Sequence, residues 1–421
     1  MKKRIPALGL CLALALFLAG CGSRACGNKV LAEDLMADMR ADVQPVSVEA
    51  NDGEVEALAV TEFSVRLFQE SREEGENTLV SPLSVLCALA MTANGARGET
   101  MAQMETLFGM PISELNEYLY VYTQALPEGK TYQLNLANSL WIRDDGRIQV
   151  EEDFLRTNAT WYDAGVYQAP FDNSTVKDIN AWVSENTDGM IDHVLDRVPE
   201  ETVLYLINAL YFEAQWKNIY YEHQVRDGVF TTEEGDARDV ELMYSNEYQY
   251  LEDDKAAGFM KFYDDEAYAF VALLPKEGVR LRDYIASLTG ENLRTMLSNV
   301  QDTKVETAIP KFQSEYTVEM KEILQTLGMT DAFDPEQADL SGIGETSTGL
   351  LYINQVLHKT YIAMDEQGTK AGAATVVATG EGAAPPTEVK TVYLDRPFLY
   401  LIVDREAGLP VFMGTVTDIT S

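Results

Sequence analysis

Histidine is scarce in this chain, three in 421 residues, and so is cysteine, with four. His193, His223 and His358 form no H-E-x-x-H pattern and no Cys/His pairing, so no metal ion and no cofactor is expected. Cys11 lies in the N-terminal apolar run, Cys21 ends it, and Cys26 follows shortly after. Cys87 sits among Val85, Leu86, Ala88 and Leu89 and reads as a core residue. No disulfide framework results, so the body must be held together by its core. There is no G-x-S-x-G elbow and no glycine run to build an oxyanion site, which argues against a hydrolase despite the serines and histidines. Basic side chains are outnumbered 32 to 68, a net charge of −36; without Lys2, Lys3 and Arg4 the balance is 29 − 68 = −39. Such a surface repels nucleic acid and anionic head groups and favours solubility and basic partners; adaptation to an extracellular medium accounts for it equally well.

Long apolar stretches are missing too, except at the start. Residues 1–20 carry Lys2-Lys3-Arg4, an apolar run from Ile5 to Leu18, and then Ala19-Gly20 before Cys21. Positive charge, a short apolar core and small residues make a secretory signal, too short for a spanning helix, which needs about 20 apolar residues. The Leu18-Ala19-Gly20-Cys21 ending is similar to a bacterial lipoprotein signal, with Cys21 as the lipidated residue. Residues 21–53 read as an acidic tether of little core-building power, apart from a short helix around Leu31–Arg40. As a coil of about 30 residues it would span on the order of 30 Å and lift the body off a membrane. The expected location is extracytoplasmic, lipid-anchored at the cell surface, or secreted.

The remaining residues, 54–421, show no linker, repeat or break in composition, although about 365 residues would suffice for two average domains. Helical spacing predicts helices over Glu54–Ser71, Ser81–Asn94 (opened by Ser81-Pro82), Asp153–Asp163 and Val176–Glu185. Tyr132–Ile142, Val203–Phe212, Ala267–Leu274 and Val392–Val403 are β-branched or aromatic and read as strands. Strands with scattered helices imply an α+β protein with mixed β-sheets.

One stretch stands apart. Residues 365–386 read DEQGTKAGAATVVATGEGAAPP and contain no large apolar side chain, yet they join two strand-like segments, Tyr361–Met364 and Phe398–Val403. A loop this long inside a compact domain is usually functional or disordered. Extended, it would place Thr369, Ala371, Ala373, Thr375 and Val377 on one face. Such small side chains let a segment slip between two existing strands.

This loop and the blocks around it resemble the serpin family. The hinge Asp365-Glu366-Gln367-Gly368-Thr369-Lys370-Ala371-Gly372-Ala373-Ala374-Thr375 is similar to that of inhibitory serpins. The ending Asp395-Arg396-Pro397-Phe398-Leu399-Tyr400-Leu401-Ile402, with Phe412-Met413-Gly414, is similar to the C-terminal serpin signature. Asn77–Ser84, Leu136–Leu140, Ile207–Phe212 with Trp216, Leu273-Leu274-Pro275, Ile309–Phe312 and Ala338–Gly342 match further blocks in order, and the likeness runs from about residue 55 to 418. It implies the serpin fold: a single large domain of mixed β-sheets surrounded by helices, with an exposed reactive loop at about 366–390.

The resemblance implies a serine protease inhibitor rather than an enzyme. The loop is bait; a protease attacks it, forms an acyl-enzyme and is trapped when the cut loop inserts into the central sheet. Thr369, Ala371, Ala373, Ala374 and Thr375 then form the small-residue hinge after Glu366 and Gly368. Lys370 departs from the more usual acidic residue but faces outward in this reading. Counting fourteen residues on from Gly368, as in the family, puts the scissile bond at Gly382–Ala383. No Arg, Lys, Phe, Tyr or Leu stands nearby, so elastase-like or subtilisin-like proteases are the expected partners, and Glu381 keeps a Glu-specific one open. Ser81, Ser84, Asn208 and His358 match the polar cluster beneath the sheet-opening point; Trp216, Lys311 and Glu366 match the top of the sheet. A monomer is expected. The alternatives are a non-inhibitory serpin acting as a binding or scaffold module at the cell surface and, more remotely, a secreted lipoprotein enzyme or solute-binding protein.

Overall fold

The apolar run beginning near Val203 becomes a strand, Leu204–Gln215 (β6), that is buried along nearly its whole length. A strand apolar on both faces must lie between two layers. One face, with Tyr205 and Ile207, meets Trp182 and Ile179; the other, with Leu204 and Leu206, joins the main helical core. The computed structural model describes residues 31–43, 46, 48, 53–126, 129, 131–162, 164–199, 202–347, 349–369 and 389–419.

β6 belongs to a seven-stranded mixed sheet in the order β1 (Glu33–Asp34), β5 (Gly165–Ala169), β3 (Tyr132–Arg143), β6, β15 (Gly368–Thr369), β14 (Gln355–Met364) and β12 (Phe312–Glu319). A nine-stranded sheet runs β16 (Val389–Tyr393), β11 (Gln301–Pro310), β8 (Ala237–Glu252), β9 (Ala256–Phe262), β10 (Tyr268–Pro275), β17 (Phe398–Asp404), β18 (Leu409–Val416) and β2 (Leu79–Val80), with β7 (Val225–Thr231) on β8. β4 (Ile148–Val150) and β13 (Gly344–Thr346) make a small ribbon. The helices are α1 (Ala37–Asp42), α2 (Glu54–Glu70), α3 (Pro82–Ala93), α4 (Gly98–Phe108), α5 (Ile112–Ala125), α6 (Glu152–Tyr162), α7 (Asn173–Asn186), α8 (Leu281–Ile285), α9 (Gly290–Ser298) and α10 (Lys321–Thr326).

Local chemistry explains the helices that frame the site. Ser81 caps α3 by accepting the Ser84 N–H at 3.3 Å, Pro82 occupies the first turn, and all twelve residues of α3 are buried. Asp172 starts α7 by accepting the Ser174 N–H at 2.7 Å. α7 then covers one face of the seven-stranded sheet through Ile179, Trp182 and Val183. Between the two sheets lies an aromatic core that includes Phe212, Phe270, Tyr400 and Phe412. The fold is α+β with mixed sheets and helices around them, the class the sequence indicates.

Two expectations need correcting. The strand expected over Val392–Val403 is two strands in different places. β16 pairs in parallel with β11, β17 pairs antiparallel with β10, and the chain turns between them at Asp395-Arg396-Pro397. Pro397 lacks an N–H for a ladder, and the Asp395 carbonyl accepts the Thr231 N–H at 2.8 Å. The second correction concerns residues 31–43, expected to lack core-building power and to form a helix around Leu31–Arg40. Glu33 and Asp34 instead add β1 to the edge of the sheet, opposite Gln168 and Tyr167 of β5. Met36 is wholly buried, and Arg40 pairs with Asp34 at 2.8 Å while donating to the Ala164 carbonyl at 2.9 Å. Only Ala37–Asp42 is helical.

Candidate functional site

β6 and β14 are parallel neighbours over six residue pairs, from Gln355↔Tyr205 to Thr360↔Leu210. Beyond that point they part, and β15 occupies the gap: Gly368 and Thr369 pair with Gln215 and Ala214 of β6, and Thr369 with Met364 of β14. Gly368 and Thr369 of the long loop are therefore already a strand in the middle of the principal sheet.

A tight turn brings them there. The Asp365 side chain accepts the N–H groups of Gln367 (2.7 Å) and Gly368 (3.2 Å), and the Asp365 N–H donates to the Gly368 carbonyl at 3.0 Å. Gly368 has φ +153°, and a Cβ there would lie 2.0 Å from the Ala214 carbonyl oxygen, so only glycine fits. Thr369 is completely buried, with its hydroxyl 2.5 Å from the Tyr263 hydroxyl.

Trp216 holds the turn from the side. Its backbone N–H donates to the Gln367 carbonyl (2.8 Å) and its indole N–H to the Asp365 carbonyl (3.0 Å), while its ring stacks on Tyr263 at 4.5 Å. The Tyr220 N–H donates to the Glu366 carbonyl at 2.9 Å. Lys311 Nζ lies 2.5 Å from Glu366 Oε1 and 2.9 Å from Glu241 Oε2. Burial alone would raise the Glu366 carboxyl; the Lys311 ammonium outweighs it and holds the group below its ordinary value.

Sequence reasoning missed what lies beneath. Lys261, only 1% exposed, donates to Glu247 Oε1 (2.9 Å) and the Asn218 carbonyl (3.1 Å), with its ammonium 4.4 Å from the Tyr220 ring centre and 5.3 Å from that of Trp216. Burial alone would lower its pKa; Glu247 and Tyr220 outweigh that and raise it. A lysine inside the apolar run Gly258–Tyr263 was the available signal.

Ser81, Ser84, Asn208 and His358 meet under the point where β6 and β14 part. His358 Nε2 accepts the Ser81 N–H at 3.0 Å, its Nδ1 meets Asn208 Oδ1, and the Ser84 hydroxyl donates to that same oxygen at 3.4 Å. An imidazole accepting at Nε2 must carry its proton on Nδ1, so His358 is neutral, and burial pushes its pKa down to about 3. No acyl-transfer arrangement exists at this cluster, because the serine hydroxyls do not face the imidazole as nucleophiles. Cys87 is buried, and burial pushes its thiol up to about 12. Ala371, Ala373, Ala374, Thr375, Gly382, Ala383 and Cys21 lie outside the described residues.

These features define a class: an α+β protein whose principal sheet is parted at one end by the first residues of a long loop. Sequence and structural comparisons assign the family. The sequence model for serpins (serine protease inhibitors) matches residues 58–419. The chain is 30% identical over 376 residues to the leukocyte elastase inhibitor of Equus caballus, covering 85% of this chain and 98% of that one. Against the crystal structure of the thermophilic serpin tengpin in its native state the TM-score is 0.88, with 45% identity and coverage of 92% of this chain and 100% of that one. Against tengpin in its latent state the TM-score is 0.79, with 43% identity and coverage of 89% and 100%. The chain belongs to the serpin family, whose members are mostly protease inhibitors rather than enzymes.

Proposed function

We propose that this serpin is inhibitory, a suicide substrate for serine proteases that accept small residues, of elastase-like or subtilisin-like type. The observation that carries the reading is the seating of Gly368 and Thr369 between β6 and β14. A strand already started needs only to be extended, and the sequence supplies small residues at alternate positions beyond it, Ala371, Ala373 and Thr375. Cleavage beyond the hinge, at Gly382–Ala383 in the family register, would free the loop to continue between the two strands. The acyl-linked protease would be carried with it before the ester is hydrolysed. Insertion would break the β6–β14 pairing and replace it with two new strand interfaces.

Lipidation at Cys21 would place the body at an extracytoplasmic membrane surface, facing secreted proteases; no cofactor or nucleic acid enters the reading. Likeness to an elastase inhibitor supports the target class, as does the absence of basic and large side chains around residue 382.

The test is incubation with an elastase-like and a subtilisin-like protease, followed by a denaturing gel. A covalent complex is expected, together with a cut form that melts far above the intact one. Cleavage near Gly382 with no complex and no gain in melting temperature would favour a non-inhibitory binding module instead.

A further inference from the structure

Lys261 stands in β9 among Phe259, Met260, Phe262 and Tyr263, a setting that does not call for a charge. A buried ion pair is a poor stabiliser, since apolar side chains of similar volume often do as well or better. What the pair touches is more telling. Glu247 Oε1, which takes the Lys261 ammonium, also accepts the Ser245 hydroxyl at 2.7 Å. Ser245 Oγ in turn lies 3.2 Å from the Tyr220 hydroxyl and 2.9 Å from that of Thr307. Tyr220 is thus gripped twice, by the ammonium at its ring and by Ser245 at its hydroxyl.

The segment from Trp216 to Tyr220 supplies three donors to the loop's turn. The Trp216 N–H, its indole N–H and the Tyr220 N–H take the carbonyls of Gln367, Asp365 and Glu366, three consecutive residues. The backbone of β9 holds the start of this segment, where the Lys217 N–H donates to the Phe262 carbonyl at 3.0 Å. Its far half is held by Lys261, through the Asn218 carbonyl and the Tyr220 ring. A cation set against aromatic rings is most effective where water is excluded, as it is here.

We infer that Lys261 is a positioning residue for loop insertion: it fixes the Trp216–Tyr220 segment, and through it the Asp365–Gln367 turn, as the pivot from which the cut loop extends β15. The inference rests on the inhibitory reading above. The inserting loop is laid down from Thr369 onward, so a pivot that wanders delays its first steps. Insertion competes with hydrolysis of the acyl-enzyme, and delay sends molecules to the cut, uncomplexed form.

Lys261→Met keeps the apolar stem and removes the charge; Lys261→Met/Glu247→Gln also avoids leaving a bare carboxylate buried. With a protease that the wild type traps, the ratio of cut free protein to covalent complex on a denaturing gel should rise about tenfold in both variants. In the intact proteins, with no protease present, amide hydrogen exchange should quicken at Trp216 and Tyr220 while β10 stays as protected as in the wild type. If the wild type traps no protease, the inhibitory reading fails, and exchange alone decides whether Lys261 positions the turn. Unchanged exchange at Trp216 and Tyr220 in the double variant would overturn the inference. So would an unchanged ratio beside a wild type that traps, or exchange that quickens equally in β10, which would make Lys261 an ordinary core residue.

Discussion

Thr369 is the first loop side chain inside the sheet, and its pocket has no room for charge. It is walled by Tyr263, Met364 and the backbone of Ala214. Arginine there would need to bury an unpaired guanidinium, at a cost of several kcal/mol. Insertion competes with hydrolysis of the acyl-enzyme, and each 1.36 kcal/mol added to the insertion barrier shifts that partition about tenfold. Thr369→Arg should therefore still be cut by the target protease while covalent complex falls at least about tenfold on a denaturing gel; an undiminished yield would count against the hinge. His358 makes a different prediction. In the folded protein it is neutral with a pKa of about 3, whereas the unfolded chain has an ordinary imidazole. Below about pH 6.5 the unfolded state binds a proton that the native state refuses, so stability present above that pH drains away as pH falls toward 3, by up to about 1.4 kcal/mol per unit. In urea unfolding, the stability advantage of wild type over His358→Gln should shrink between neutral pH and about pH 5. A constant difference would mean that the imidazole is not held neutral.

Among the elements, those with a strong local pattern are legible in the amino-acid order itself. The helices α2, α3, α6 and α7 and the strands β3, β6 and β10 appear within a few residues of their expected bounds, because burial on one or both faces writes a period into the sequence. What the pattern could not show is set by distant partners. β15 is two residues long and exists only because β6 and β14 diverge around it. β1 owes its strand to β5, more than 130 residues further on, and in this acidic stretch Met36 is the fully buried anchor, with Leu35, Met39 and Val43 packed partly against the core. The Lys261–Glu247 pair looks like two ordinary surface charges until the fold buries it. The 31–43 segment also bears a prediction of its own. It ties β5 through β1 and reaches α7 through the Ala32 N–H, which donates to Asp178 at 2.8 Å. Removing the Met36 side chain from a fully buried site should cost about 2–5 kcal/mol. Met36→Ala should thus lower the denaturant midpoint measurably, and deletion of residues 1–43 should lower it further. An unchanged midpoint in both would show the segment to be a passive passenger.

At the scale of the whole molecule, the parted end of the sheet is a hazard as well as a device. A gap between two strands offers unpaired backbone to any extended segment that reaches it, including the loop of a second copy. The turn that fills the gap is held by Trp216, Tyr220 and the Lys311–Glu366 pair. That pair is partly exposed, and Lys311 shares its charge with Glu241, so its direct worth is only about 0–1 kcal/mol. Loss of global stability therefore cannot be the main consequence of breaking it. Glu366→Lys replaces attraction with repulsion at the turn itself, where two cations would face each other across the distance now closed by an ion pair. The turn would be pushed off its seat, β15 would leave the gap more often, and the opening would stand ready for a neighbour's strand. The substitution should leave the unfolding midpoint nearly unchanged yet convert the protein to polymers on warming below that midpoint, seen as a ladder on a native gel and as early-eluting species on size exclusion. Polymer should grow with protein concentration, since the incoming strand is intermolecular. A Glu366→Lys protein that stays monomeric and traps its protease as well as the wild type would mean that the ion pair has no part in keeping the sheet closed to strangers.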